Sequence, residues 1–236
     1  MLDQAFEALP KYDWGMDPKT LQPIDDAVIA AHGNEAASKD LETRLAGVLK
    51  AESTRDAKDY TCRQLRLIGT KECVPALAAL LPQEENSHMA RYALERIPAQ
   101  EAADALVNAI PNVSPELQVG VISSLGVRQD ANAIDFIDVL GNYLLSSTDI
   151  SVARAAAFAL GNIATGTAVK VLAAAKPAEG VKSAVTDASL SCAEAMLADG
   201  KKTEALLIYK GLASDDQPKH VRLAATRGIL ACAGKS

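Results

Sequence analysis

The sequence predicts an all-α chain, an α-solenoid (superhelix) of five to six helical hairpins, on three observations. Its apolar half is built from Ala, Leu, Val and Ile, with aromatics at only 4% of 236 residues, a composition that favours close-packed helices over strands. A short pattern with the spacing of a buried helix recurs along the chain. Glycine and proline fall between the recurrences at short intervals.

Residues 1–37 precede the periodic region and hold the only tryptophan, in YDWGMD. They are read as an N-terminal helical cap, because the end of a stack needs a polar outer face and an aromatic to cover its first hairpin; a small binding element is the alternative. Residues 38–236 form the solenoid. The recurrent helix is seen in HMARYALERI (88–97), SVARAAAFAL (151–160) and HVRLAATRGI (220–229). Each places an apolar residue (Met89, Val152, Val221), a small one four positions on (Ala93, Ala156, Ala225) and a large aliphatic eight positions on (Ile97, Leu160, Ile229). Weaker copies end at Ile68, Leu125 and Leu197, so the six anchors are separated by 29, 28, 35, 37 and 32 residues.

Between them lie amphipathic runs with apolar positions three and four apart. These are CVPALAALL (73–81), AADALVNAI (102–110), AIDFIDVLGNYLL (133–145), TAVKVLAAA (167–175) and KTEALLIYKGL (202–212). The breaks are placed at Gly69-Thr70, Pro82, Pro98, Pro111 to Pro115, Gly126, Gly161 and Gly200. A hairpin of about thirty residues cannot bury its own apolar surface, so neighbours must stack. In SVARAAAFALGNI both flanks are mostly small or apolar, which predicts a helix covered on two sides with Arg154 as its polar exit.

The runs LIGTKECVPALAALL, HMARYALERI, ARAAAFALGNI and HVRLAATRGIL resemble HEAT repeats, in particular the alanine-rich bacterial kind labelled PBS-lyase-like. The chain as a whole is similar to HEAT regions in large planctomycete and verrucomicrobial proteins. Residues 192–212, with Gly200, Ala205 and Tyr209, look as much like a tetratricopeptide hairpin, so a hybrid is expected near the C-terminus. The run GILACAGKS ends just after an apolar helix with no polar closing hairpin, which predicts an exposed helix face, self-association there, or a longer chain.

Several classes of chemistry are excluded on pattern. With Lys+Arg 24 against Asp+Glu 30, net charge −6, the basic excess behind non-specific nucleic-acid binding is missing. The longest charge-free run between Arg154 and Lys170 has fifteen residues, too short for a membrane span. No signal-peptide pattern opens the chain, since Asp3 and Glu7 interrupt it. The compartment stays open: cytoplasmic by default, exported if the chain belongs to a longer precursor. Cys62, Cys73, Cys192 and Cys232 sit in apolar helical contexts and are read as buried thiols. His32, His88 and His220 are dispersed, with no HExxH and no CxxC, so no metal or cofactor is expected. Deoxyhypusine hydroxylase, a HEAT-repeat enzyme class, carries His-Glu pairs; no histidine here is followed by Glu. The terminal AGKS misses the phosphate-loop spacing, because Ile229 stands where its first glycine belongs.

What remains is a surface. In stacked hairpins the non-core positions of second helices set recognition, and these are Arg63, Arg66, Arg91, Glu95, Gln118, Arg154, Arg222 and Arg227. Ion pairing within and between repeats, with neighbours such as Asp149 and Asp216, is the competing role for each arginine. The expected function is a non-catalytic scaffold for a protein or peptide partner. The alternatives are an accessory domain of a larger enzyme or exported complex, and a tetrapyrrole (bilin) lyase or chaperone.

Overall fold

The computed structural model describes residues 1–129 and 134–234, with Ile134 and Asp135 by backbone alone. Ala133, the first residue of the run 133–145, and the Lys235-Ser236 end of AGKS lie outside the described residues. Every regular element among the described residues is helical, and the fold is an all-α solenoid of consecutive hairpins. The chain divides into two compact units, Met1–Ser124 and Leu125–Ser236.

The first unit opens with α1 (Leu2–Ala8) and α2 (Gln22–Ala30), joined through short 3-10 turns, and these two helices pack on each other. Then come α3 (Glu35–Lys50) with α4 (Arg55–Ile68), α5 (Val74–Ala78) with α6 (Glu84–Leu94), and α7 (Gln100–Ala109) followed by α8 (Pro115–Arg128), whose residues 125–128 fall in the second unit. Side-chain caps set two of the starts: Asn34 accepts from the Ala37 amide and Thr54 from the Ala57 amide. A third start is organised from a distance. The buried carboxylate of Glu42 on α3 accepts from the amides of Thr70 (2.7 Å) and Cys73 (3.1 Å), satisfying donors where the chain turns into α5. First helices stack on first helices (α3 on α5, α5 on α7), and second helices do the same, with α2 against α4 and α4 broadly against α6.

The second unit continues with α9 (Ile134–Ser146) and α10 (Ile150–Ile163), α11 (Gly166–Ala174) and α12 (Lys182–Ala198), α13 (Lys202–Leu212) and α14 (Lys219–Cys232). Asp149 caps α10, its Oδ1 accepting from the amides of Ser151 and Val152. Helix α10 is covered as its composition predicts: α9 packs on one flank and α12 on the other, and nine of its residues, from Val152 to Ile163, are buried. Arg154 and Phe158 are exposed, one turn apart.

Two expected breaks are not breaks. Gly126 lies inside α8 and Gly161 inside α10, where they permit close helix crossings. A Cβ on Gly126 would come within 2.8 Å of Ala159 Cα, and one on Gly161 within 2.8 Å of Ala188 Cα. The last hairpin uses the same device with a ring, since Tyr209 on α13 is fully buried and lies where a Cβ of Gly228 on α14 would stand. Gly200, in contrast, ends α12 with a left-handed φ of +77°. No helix among the described residues is long and apolar enough to cross a membrane.

Candidate functional site

The predicted recognition residues fall in both units and have different surroundings. In the first unit, Arg91 and Glu95 face inward. Arg91 Nη1 donates to the Gly120 carbonyl (3.0 Å) and to Ser124 Oγ (3.2 Å), and Ser124 Oγ donates to Glu95 Oε1 (2.7 Å). Burial lowers the pKa of Arg91, partly countered by Glu95. This is a clamp between α6 and α8, and Gly120 leaves the space in which the guanidinium lies. Gln118 is likewise engaged, donating to the Ile110 carbonyl at 2.9 Å.

Arg63 and Arg66 face outward. Arg63 pairs with Asp59 one turn back on α4 (3.1 Å), and its guanidinium lies 5.8 Å from the centre of the Trp14 ring. Arg66 sits 4.3 Å over the ring of Tyr92 on α6. Arg63 and Arg66 share a face of α4, being three residues apart, so Trp14, Arg63, Arg66 and Tyr92 form one continuous patch, with Leu67 exposed beside it. Trp14 is held there from several sides. Its amide donates to Asp56 in the first turn of α4 (3.2 Å), and its ring meets Tyr12 edge-on at 5.4 Å. Tyr12 in turn packs on Tyr60, and its carbonyl accepts from Thr54 Oγ1. Trp14 nevertheless remains 48% exposed. Neither Trp14 nor Tyr92 was singled out as a recognition residue from the sequence, because the partner arginines of Trp14 and Tyr92 lie on other elements.

In the second unit Arg222 donates to Asp215 at 2.8 Å, while Asp216, the neighbour expected to serve it, accepts from Ser214. Arg154 and Arg227 are exposed and make no hydrogen bond or ion pair among the described residues. His220 is exposed at the start of α14, and His88 lies 3.4 Å from Arg91 in the first unit. This unit also contains an apolar cleft of about 470 Å³ between α11 and α13, floored by α12.

Cys62, Cys73 and Cys192 are buried and Cys232 is half-buried, all as free thiols. Burial pushes the thiols of Cys62 and Cys192 up to about 12, so neither is a ready nucleophile at neutral pH. Among the described residues no three His, Cys, Asp or Glu side chains gather as a metal-ligand set.

No family model matches the chain, and no curated protein does. Similar solved structures include an archaeal HEAT-like repeats protein from Thermococcus onnurineus NA1, 15% identical, covering 100% of this chain and 98% of that one at a TM-score of 0.45. Human deoxyhypusine hydroxylase in complex with glycerol is 16% identical over 81% of this chain and 95% of that one, also at 0.45. An engineered protein is 21% identical over 100% and 97%, at 0.39. None of these similarities is high enough for an activity to pass from them to this chain.

Proposed function

We propose that the chain is a non-catalytic interaction scaffold of HEAT-like repeats, of the alanine-rich bacterial kind, that binds a protein or peptide through the outward second-helix face of its first unit. The observation supporting this reading is the Trp14, Arg63, Arg66, Tyr92 patch. Trp, Tyr and Arg are the residue types that dominate binding energy at interfaces. Here Trp14, Tyr92 and Arg63 are exposed and Arg66 is half-buried, all held by packing, a hydrogen bond or an ion pair, so little side-chain freedom is lost on docking.

Trp14 is the only tryptophan in the chain, so its emission reports directly on this patch. Pull-downs from a lysate of the source cells should give a partner with wild type that is lost with Arg63→Glu/Arg66→Glu. Titration of that partner should shift Trp14 fluorescence. A partner retained by the double variant without any change in Trp14 emission would overturn the assignment of this face. Substrate turnover abolished by a single substitution in the chain would overturn the non-catalytic reading.

A further inference from the structure

We infer that the cleft between α11 and α13 is a second, separate binding site, for a peptide segment carrying aliphatic side chains next to a basic one. The cleft lies over residues 185–192 of α12, with residues of α11 on one side and of α13 on the other. The walls of the opening are Val169, Leu172, Leu207, Ile208 and Leu212, with Cys192 in its floor. A cleft of about 470 Å³ with such walls is of ligand size and accepts aliphatic groups.

At one end it runs into a second depression of about 720 Å³, and Val185, Thr186 and Gln217 line both. The side chains of Thr186 and Gln217 make no hydrogen bond among the described residues. A hydroxyl and a primary amide at the junction offer donors and acceptors together, which is what a peptide group requires. The charged groups around the second depression are Glu179, Asp187 and Asp216 against Lys182, with His220 beside them. Lys182 is paired with Glu179 at 2.5 Å. The remaining charge belongs to Asp187 and Asp216, and it complements a basic side chain.

Gly211 is the second mark of a site. Among the glycines inside helices, Gly126, Gly141, Gly161 and Gly228 make room for a neighbouring helix and Gly120 for Arg91, whereas a Cβ at Gly47, Gly166 or Gly211 meets nothing within 4 Å. Of these last three, Gly211 lines the cleft. A glycine there weakens α13 without serving its packing, and it keeps the opening clear.

The test uses fluorescence anisotropy with the fluorescein-labelled peptide Gly-Leu-Leu-Ser-Arg-Lys-Gly and two counterparts, one with Glu-Glu for Arg-Lys and one with Asn-Asn for Leu-Leu. Wild type should bind the first saturably and each counterpart at least about tenfold more weakly. Gly211→Leu should fill the cleft and weaken binding at least about tenfold with Tm held or raised, while Gly47→Leu leaves binding unchanged. Asp187→Lys/Asp216→Lys should reverse the preference between the Arg-Lys and Glu-Glu peptides. Absence of saturable binding by wild type, equal binding of the two charge variants, or full affinity in Gly211→Leu would each overturn the proposal. The site does not rest on the patch in the first unit: Arg63→Glu/Arg66→Glu should bind the peptide as wild type does, so either proposal can fail alone.

Discussion

Arg91 and Arg154 occupy the same position in their repeats, two residues after the apolar anchor, yet they have opposite surroundings. Arg91 is half-buried and hydrogen-bonded to Gly120 and Ser124, and Arg154 is exposed. Substituting Arg91→Ala removes both bonds and leaves Ser124, which is fully buried, with Glu95 to satisfy it. The expected loss is about 1–3 kcal/mol, measured by chemical denaturation, while Arg154→Ala should stay within about 0.5 kcal/mol of wild type. Equal effects of the two would contradict the clamp. The buried thiols give a second prediction at this scale. With ordinary values near 9 and folded values of about 12, Cys62 and Cys192 keep protons between pH 9 and 12 that the unfolded chain releases. Stability contributed by the neutral thiols is therefore complete below pH 9 and is lost as pH rises toward 12, at up to about 1.4 kcal/mol per pH unit for each. Melting measured from pH 8 to 10.5 should show the decline, with a shallower slope in Cys192→Ala.

At the scale of the element, two helix-interior glycines invite a matched comparison. Gly161→Ala gains helix propensity of about 1 kcal/mol but drives a methyl against the α12 backbone at Ala188. A backbone cannot rotate away, so overpacking of about 1–3 kcal/mol should win and the variant should melt lower. Gly211→Ala meets open space and should melt higher. Ala156→Leu, on the fully buried stripe of α10, should also cost about 1–3 kcal/mol, and an unchanged Tm would contradict its packing. These cases show what was legible in the sequence. The anchors Met89, Val152 and Val221, and the small residues four places on, are all buried, because helical periodicity writes burial directly into spacing. Gly126 and Gly161 read as breaks in the sequence because glycine serves both a turn and a close crossing, and only the facing residues, Ala159 and Ala188, decide between them. Arg63 and Arg66 were legible as surface positions, but their stacking on Trp14 and Tyr92 depends on a loop and a helix distant in sequence.

For the whole molecule the deciding quantity is how charge is distributed. Residues 1–124 hold 12 basic against 19 acidic side chains, and residues 125–236 hold 12 against 11, so the first unit carries −7 and the second +1. Both proposed sites run against their local background. The Arg63–Arg66 patch sets two guanidiniums, one of them paired with Asp59, on the acidic unit, and the Asp187–Asp216 depression sets two carboxylates on the nearly neutral unit. Local contrast of this kind orients a partner and affects association rate more than final affinity. Binding to either site should therefore slow on moving from 50 to 300 mM salt, with dissociation much less affected; stopped-flow anisotropy separates the two rates. Nucleic acid behaves differently, because its affinity grows with the number of phosphates neutralised. Arg63 is exposed but paired with Asp59, and Arg66 is half-buried, so the two can release few counterions. Gel-shift titration with duplex DNA or single-stranded RNA at 100 mM salt should show no complex, and one that formed with a steep salt slope would contradict this reading.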